Sequence, residues 1–280
     1  MVKAPTRSSR ARIAAGATKP RRLRLGATLG AASLSLTAAL PALPALAEPG
    51  WPAYGGTAEG RRWSEAAEIT PANVDGLRWQ WIYRTGDAEK RDPALMRRIK
   101  LQTTPILVDE RLVFCSSFNE VIALDPGDGR ELWRFDPKVA TNRRSANRYN
   151  YRGVTQWHDT RATPHATCEV HVFTATVDAR LIALDSVTGA PCAGFGNGGE
   201  VKIDTGKLDW PGEFQISSAP VVTGDVVIVG SAIDDNRRAD APSDEVHAFD
   251  ARSGRPVWTW DPIVRDRGMP RDARAGAANV

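Results

Sequence analysis

The sequence predicts an all-β chain built from a repeated four-stranded sheet unit. The first observation is a recurring motif: a short apolar run, an aspartate, a glycine four residues on and a tryptophan eight residues on. VIALDPGDGRELW carries it as Asp125, Gly129 and Trp133, and VHAFDARSGRPVWTW as Asp250, Gly254 and Trp258. LIALDSVTGAPCA has Asp185 and Gly189, with Ala193 where the tryptophan is expected. The aspartates stand 60 and 65 residues apart, a period that indicates one supersecondary unit repeated around an axis or along an array. The second observation is the strand content: short β-branched and aromatic runs, broken by Asp, Asn and Gly, with no sustained helical period. A repeated unit with an Asp turn and an aromatic closer favours a β-propeller blade over the competing β-sandwich.

The elements follow in order. Residues 1–47 hold eight of the 37 Lys and Arg residues and no acid. A basic region ends at Leu25, an apolar small-residue segment runs from Leu25 to Leu40, and Ala45-Leu-Ala47 offers a cleavage site, so 1–47 reads as a signal peptide. Arg21-Arg22 resembles a twin-arginine signal, and an uncleaved membrane anchor is the alternative. Beyond the leader, 29 basic residues face 33 acidic ones, so nothing in residues 48–280 suggests a nucleic-acid surface.

Trp51 to Tyr54 reads as an irregular lead-in and Thr70-Pro-Ala-Asn as a turn or a single helical turn. Arg78 to Arg84 alternates as a strand, with Trp79 and Trp81 on one face, and the charged stretch 86–99 reads as a loop. TTPILVDERLVFCSSFNEVIALD reads as three strands, closed by ELWRFDP. YRGVTQWH opens a second unit, TCEVHVFTATVDARLIALD continues it, and SSAPVVTGDVVIVGSAIDD opens a third. Trp133, Trp258 and Trp260 read as core anchors between units. There is no C-x-x-C; Cys115 reads as a small buried hydrophobe, and Cys168 and Cys192 flank one hairpin and could meet in an exported protein. His158, His165, His171 and His247 lack metal-ligand spacing and read as structural or exposed.

The A-[LF]-D-x-x-x-G-x-x-x-W motif resembles the tryptophan-docking motif of the pyrroloquinoline quinone (PQQ) dehydrogenases, which are exported eight-bladed propellers. TTPILV, YRGV, FTATVDARLIALDSVTG, VVIVGSAIDDN and VHAFDARSGRPVWTWDP are closer still to the membrane-bound quinoprotein glucose dehydrogenase branch. The likeness runs from about Trp51 to Val280. The 233 residues after the leader are room for about four of eight blades, so the resemblance implies an incomplete propeller, the N-terminal portion of such an enzyme.

PQQ is a planar tricarboxylate with an ortho-quinone. Holding it takes a cation for the carboxylates, polar groups, flat surfaces and a hard divalent ion to polarise a quinone carbonyl. The resemblance assigns cofactor contact to Gln102, to Arg152 in Y-R-G-V and to Thr176, and metal ligation, Ca²⁺ or Mg²⁺, to Asp235 and Asn236. Gln102 stands where the family often has a glutamate, and Tyr151 where the glucose branch usually has a cysteine. The adjacent cysteine pair of the alcohol branch and the multi-helix membrane domain of the glucose branch are absent, and the catalytic base is expected beyond Val280. The implied activity is oxidation of a sugar or alcohol hydroxyl in the periplasm, free or membrane-associated, with electrons passed to a membrane quinone or a cytochrome. A non-catalytic propeller scaffold and an inactive truncated fragment are the alternatives.

Overall fold

A computed structural model of the chain describes residues 50–57, 59–141, 149–234 and 241–262. The leader, Asp235, Asn236 and residues 263–280 lie outside the described residues. Strands dominate, arranged as antiparallel sheets that follow chain order. The first sheet holds β1 (Ile106–Val108), β2 (Arg111–Cys115), β3 (Val121–Leu124) and β4 (Glu131–Phe135). The second holds β5 (Thr155–His158), β6 (Val170–Ala175), β7 (Arg180–Asp185) and β8 (Glu200–Lys202). After β9 (Phe214–Gln215), β10 (Val221–Thr223) and β11 (Val226–Val229) start the third sheet. β12 (Ala232–Ile233) leaves it to pair with β9, and β13 (Val246–Asp250) and β14 (Pro256–Trp260) complete it.

The turns explain the registers. Asp109 and Glu110 both take left-handed φ angles, of 45° and 61°, which closes β1 onto β2 in a two-residue hairpin that pairs Val108 with Arg111. All four residues of β3, five of six in β6 and five of six in β7 are buried. That is the pattern of strands covered on both faces, and it is why these runs read as continuously apolar rather than alternating. One hydrophobic cluster, including Ile106, Val113, Phe173, Leu181, Val227 and Phe249, runs through all three four-stranded sheets. Cys115 lies wholly inside it, and burial pushes its thiol up to about 12.

The repeated Asp-x-x-x-Gly turns are the joints between sheets. Gly129 has φ 73°, and a Cβ there would stand 2.5 Å from the Trp81 indole, whose Nε1 donates to Pro126 O at 3.0 Å. Gly189 has φ 72° and meets Trp133 at the same 2.5 Å, with Trp133 Nε1 donating to Ser186 O at 3.0 Å. Glycine is required twice over, for the left-handed backbone and for the close approach of the ring. At Gly254 (φ 71°) the preceding sheet has Ala193 where the docking tryptophan would stand, and the backbone of Gly196 takes its place: Gly196 N donates to Ser253 O at 2.9 Å, and a Cβ on Gly254 would stand 2.8 Å from that nitrogen. A disulfide between Cys168 and Cys192 ties down the loop that makes this substitute joint.

Three sequence expectations change. Residues 78–84 form no strand: no described strand lies beside them to complete a ladder, so Trp79 is 83% exposed while Trp81 docks on Gly129. The charged stretch 86–99 contains two single-turn helices, α1 (Asp87–Lys90) and α2 (Pro93–Met96), the second started by Pro93 and capped by Asp92 Oδ1, which accepts from Ala94 N at 2.8 Å. Trp258 and Trp260 are 43% and 58% exposed rather than core, because among the described residues no Asp-x-x-x-Gly turn faces them. Trp133, at 9%, is the core anchor its motif predicts.

Candidate functional site

The strand order brings the candidate residues to one end of the sheets. β1, β5 and β10 begin there, β2, β6 and β11 end there, and β3, β7 and β13 set out again from it. Gln102 lies just before β1, Arg152 just before β5, and Thr176 immediately after β6. Asp235 and Asn236, which follow β12, lie outside the described residues.

The lead-in segments are stitched to one another. Thr104 N donates to Arg152 O at 3.1 Å, and Arg152 N donates to Ser217 O at 3.1 Å, so the segments before β1 and β5 and the one leading towards β10 form a continuous backbone seam. Thr104 and Gly153 pair as a parallel bridge within it. Gly153 has φ 155°, and a Cβ there would stand 3.3 Å from the Tyr54 ring and 3.5 Å from Thr104 O. Gln102 is exposed, and its Oε1 accepts from Asn150 Nδ2 at 3.3 Å. Asn150 Oδ1 is buried without a hydrogen-bond partner among the described residues.

Arg152 is half-buried. Its Nη1 donates to Ser217 Oγ at 3.1 Å and to Ser217 O at 3.4 Å. Among the described residues no carboxylate pairs with it, and its Nε and Nη2 donors have no protein acceptor. A guanidinium carries five N–H donors in a planar fork, so most of the capacity of Arg152 remains for an anionic ligand.

Thr176 is fully buried at the mouth of a five-residue turn. Its hydroxyl donates to Asp178 Oδ1 and accepts from Arg180 N at 3.1 Å. With its one proton committed, it can serve a ligand only as an acceptor. The same turn occurs in the first sheet: Ser116 N donates to Glu120 O at 2.7 Å as Thr176 N donates to Arg180 O at 2.9 Å. Asn119 and Ala179, at matching positions, both take left-handed φ angles, 65° and 64°.

Two residues that sequence reasoning missed hold this turn in place. Asn119, fully buried, donates from Nδ2 to Ala175 O at 3.2 Å and accepts on Oδ1 from Val177 N at 3.3 Å, so it grips the chain on both sides of Thr176. Tyr151 Oη accepts from Ala175 N at 2.5 Å, which ties the residue before Arg152 to the residue before Thr176. Burial, with a smaller contribution from nearby Cys115, pushes the Tyr151 phenol far above its ordinary range, so it stays protonated. Asn119 was visible only as a turn residue between two strands, and Tyr151 only as a departure from a family cysteine. Among the described residues no hydrogen bond joins Gln102, Arg152 and Thr176 to one another directly; the seam and the two clamps relate them.

The residues present fit a polar, anionic, planar ligand in kind. The seam offers an arginine with spare donors, and Asn150 Oδ1 and Ser117 Oγ are buried at this end without hydrogen-bond partners among the described residues. A separate concavity of about 450 Å³ lies between Tyr54, Arg62, Gln156 and Val222 and includes none of the three predicted side chains.

Comparison with known proteins gives a consistent result. Residues 51–280 match the family model described as PQQ: glucose/ethanol/alcohol dehydrogenase, beta-propeller domain. The chain is 33% identical over 242 residues to quinoprotein glucose dehydrogenase A of Acinetobacter calcoaceticus, covering 82% of this chain and 30% of that protein. It is 35% identical over 214 residues to the glycerol dehydrogenase large subunit of Gluconobacter oxydans, covering 75% and 28%. Among solved structures it is similar to the quinohemoprotein alcohol dehydrogenase of Comamonas testosteroni, with a TM-score of 0.62 at 26% identity over 82% of this chain and 30% of that one. The chain therefore spans about 30% of the length of the curated relatives it matches.

Proposed function

Since the chain belongs to the PQQ-dependent glucose/ethanol/alcohol dehydrogenase β-propeller family, we propose that it supplies the N-terminal part of the cofactor cradle of a quinoprotein dehydrogenase. The reaction is oxidation of a sugar or alcohol hydroxyl, the range spanned by relatives named for glucose, glycerol and quinate or shikimate. The observation that carries this reading is Arg152: a half-buried guanidinium on a rigid seam, with donors to spare and no carboxylate partner among the described residues.

Arg152 binds a carboxylate or quinone oxygen of PQQ, and the seam through Thr104 and Ser217 fixes its direction. Gln102 and Thr176 contribute polar contacts, Thr176 as an acceptor. Asp235 and Asn236 ligate the divalent ion, Ca²⁺ or Mg²⁺, as oxygen donors suited to a hard cation. When bound, PQQ supplies the two-electron acceptor for the hydroxyl-bearing carbon. Residues 1–47 act as an export signal that places the mature chain, 48–280, in the periplasm, where electrons leave to a membrane quinone or a cytochrome. Among the described residues no helix is long and apolar enough to cross a membrane.

The test is reconstitution of the purified chain with PQQ and Ca²⁺, following the quinone absorbance and dye-linked oxidation of glucose, glycerol and simple alcohols. Saturable binding with a perturbed quinone spectrum, lost in Arg152→Ala, supports the cradle. Absence of any binding overturns it for this chain. Binding without turnover locates the missing chemistry in the part of the relatives that this chain does not match.

A further inference from the structure

The substitute joint between the second and third sheets holds a second feature that PQQ binding does not use. The sulfur atoms of Cys168 and Cys192 and a ring nitrogen of His171 lie within 4.8 Å of one another. The two sulfurs are joined as a disulfide. His171 and Cys192 are buried and Cys168 is half-buried. His171 Nδ1 stands 3.1 Å from Ala251 O, in the Asp-x-x-x-Gly turn of the third sheet. A carbonyl oxygen only accepts, so Nδ1 carries the hydrogen and Nε2 carries the lone pair. Metal-ligating histidines are commonly held this way, with one nitrogen anchored to a backbone carbonyl and the other free to coordinate. The rings of Trp157 and Phe173, with centroids 5.1 and 5.5 Å away, wall the imidazole in.

We propose that, once the Cys168–Cys192 bond is reduced, these three side chains form a site for a borderline-soft divalent ion of the Zn²⁺ type. The donor set is two thiolates and one neutral imidazole, with water in the fourth position. Ligand atoms around tetrahedral Zn²⁺ sit about 3.5–3.8 Å apart, given Zn–S near 2.3 Å and Zn–N near 2.0 Å; on reduction the two sulfurs move apart to admit the ion, and the His171 nitrogen already lies within 4.8 Å of them. The steps balance. A dithiol or phosphine reductant donates two electrons, the S–S bond breaks and two thiols form. Zn²⁺ then displaces the two thiol protons to solvent and forms two Zn–S bonds and one Zn–N bond. The ion takes over the role of the covalent link, because His171 already bridges to Ala251 across the joint. The proposal is independent of the PQQ reading.

The experiment uses the full chain, reduced under native conditions with a non-chelating phosphine. Co²⁺ binding is followed by its thiolate charge-transfer absorption, and Zn²⁺ affinity by competition with a chromophoric chelator. One equivalent is expected to bind the reduced chain and none the oxidised chain at the same metal concentration. His171→Gln is expected to weaken binding at least tenfold, and Cys115→Ser to leave it unchanged. Iodoacetamide labelling of the wild-type chain, read by mass spectrometry, covers the case in which a variant fails to fold: Zn²⁺ should protect Cys168 and Cys192. The proposal is overturned by equal labelling with and without Zn²⁺, by loss of the far-ultraviolet circular dichroism on reduction with Zn²⁺ present, or by binding that His171→Gln leaves intact.

Discussion

Tyr151 and Ala175 are joined by a hydrogen bond of 2.5 Å, from the Ala175 N–H to the buried phenol oxygen. The bond ties the segment carrying Arg152, just before β5, to the turn carrying Thr176, between β6 and β7, at one end of the second sheet. Removing the oxygen leaves a buried N–H without that acceptor, which costs about 1–3 kcal/mol. Tyr151→Phe is therefore expected to lower the unfolding free energy by that amount in denaturant titrations, and to weaken PQQ binding as well. Trp258→Ala, at an exposed position of β14 in the third sheet, serves as the comparison.

Asn119 performs a second clamp and does so from a left-handed backbone, φ 65°. Asn119→Gly removes both side-chain hydrogen bonds and keeps the backbone comfortable. Asn119→Ala removes the same bonds and adds the cost of a Cβ at positive φ, about 1 kcal/mol. Alanine is expected to be the more destabilising of the two by about that margin, as read by chemical denaturation.

The tryptophan joints predict an asymmetry between identical residues. Trp133 and Trp258 stand opposite Ala123 and Ala248 in the same register, yet one is docked on Gly189 and the other is 43% exposed. Trp133→Ala is expected to cost about 3–5 kcal/mol, and Trp258→Ala about 0.5 kcal/mol or less. Thermal and denaturant unfolding of the two variants checks this directly. Comparable losses in both would mean that Trp258 has a docking partner in the folded chain.

Asp159 and Arg252 link the second sheet to the third through two hydrogen bonds of 2.6 Å, and the guanidinium lies over the Trp157 ring at 5.0 Å. Hydrogen bonding to Arg252 holds the Asp159 carboxyl down at about 2, against an ordinary 3.8. A folded-state pKa below the unfolded one means that the pair stabilises fully above the unfolded value and that this contribution is lost as pH falls from about 4 through about 2. Asp159→Asn is expected to cost about 1.5–3 kcal/mol near neutral pH, with the gap from wild type narrowing as pH falls. A gap unchanged at about pH 3 would separate the effect from this carboxylate.

The sheets were legible because each one repeats the same physical problem. An Asp-started turn with glycine at a left-handed position, and an aromatic ring that needs that glycine bare, leave a spacing that survives in the sequence. The third joint was less legible: Ala193 marked a missing tryptophan, but the replacement by the Gly196 backbone depends on where a loop folds back. Residues 78–84 alternate as a strand, and their pairing depends on a neighbour that no local pattern reveals. At the candidate site, Arg152 is singled out by its motif, whereas Asn119 and Tyr151 act through contacts 56 and 24 residues away in sequence, which spacing does not encode.

Arg152 is proposed to head an anion-binding seam for PQQ. The most direct measurement is a titration of the chain with PQQ in the presence of Ca²⁺, read by quenching of tryptophan fluorescence, for wild type, Arg152→Ala and Trp258→Ala. Saturable binding is expected for wild type and for Trp258→Ala, with an affinity at least tenfold weaker for Arg152→Ala, the scale of a lost charge-assisted contact. Equal affinity in wild type and Arg152→Ala, or no saturable binding to wild type, would contradict it.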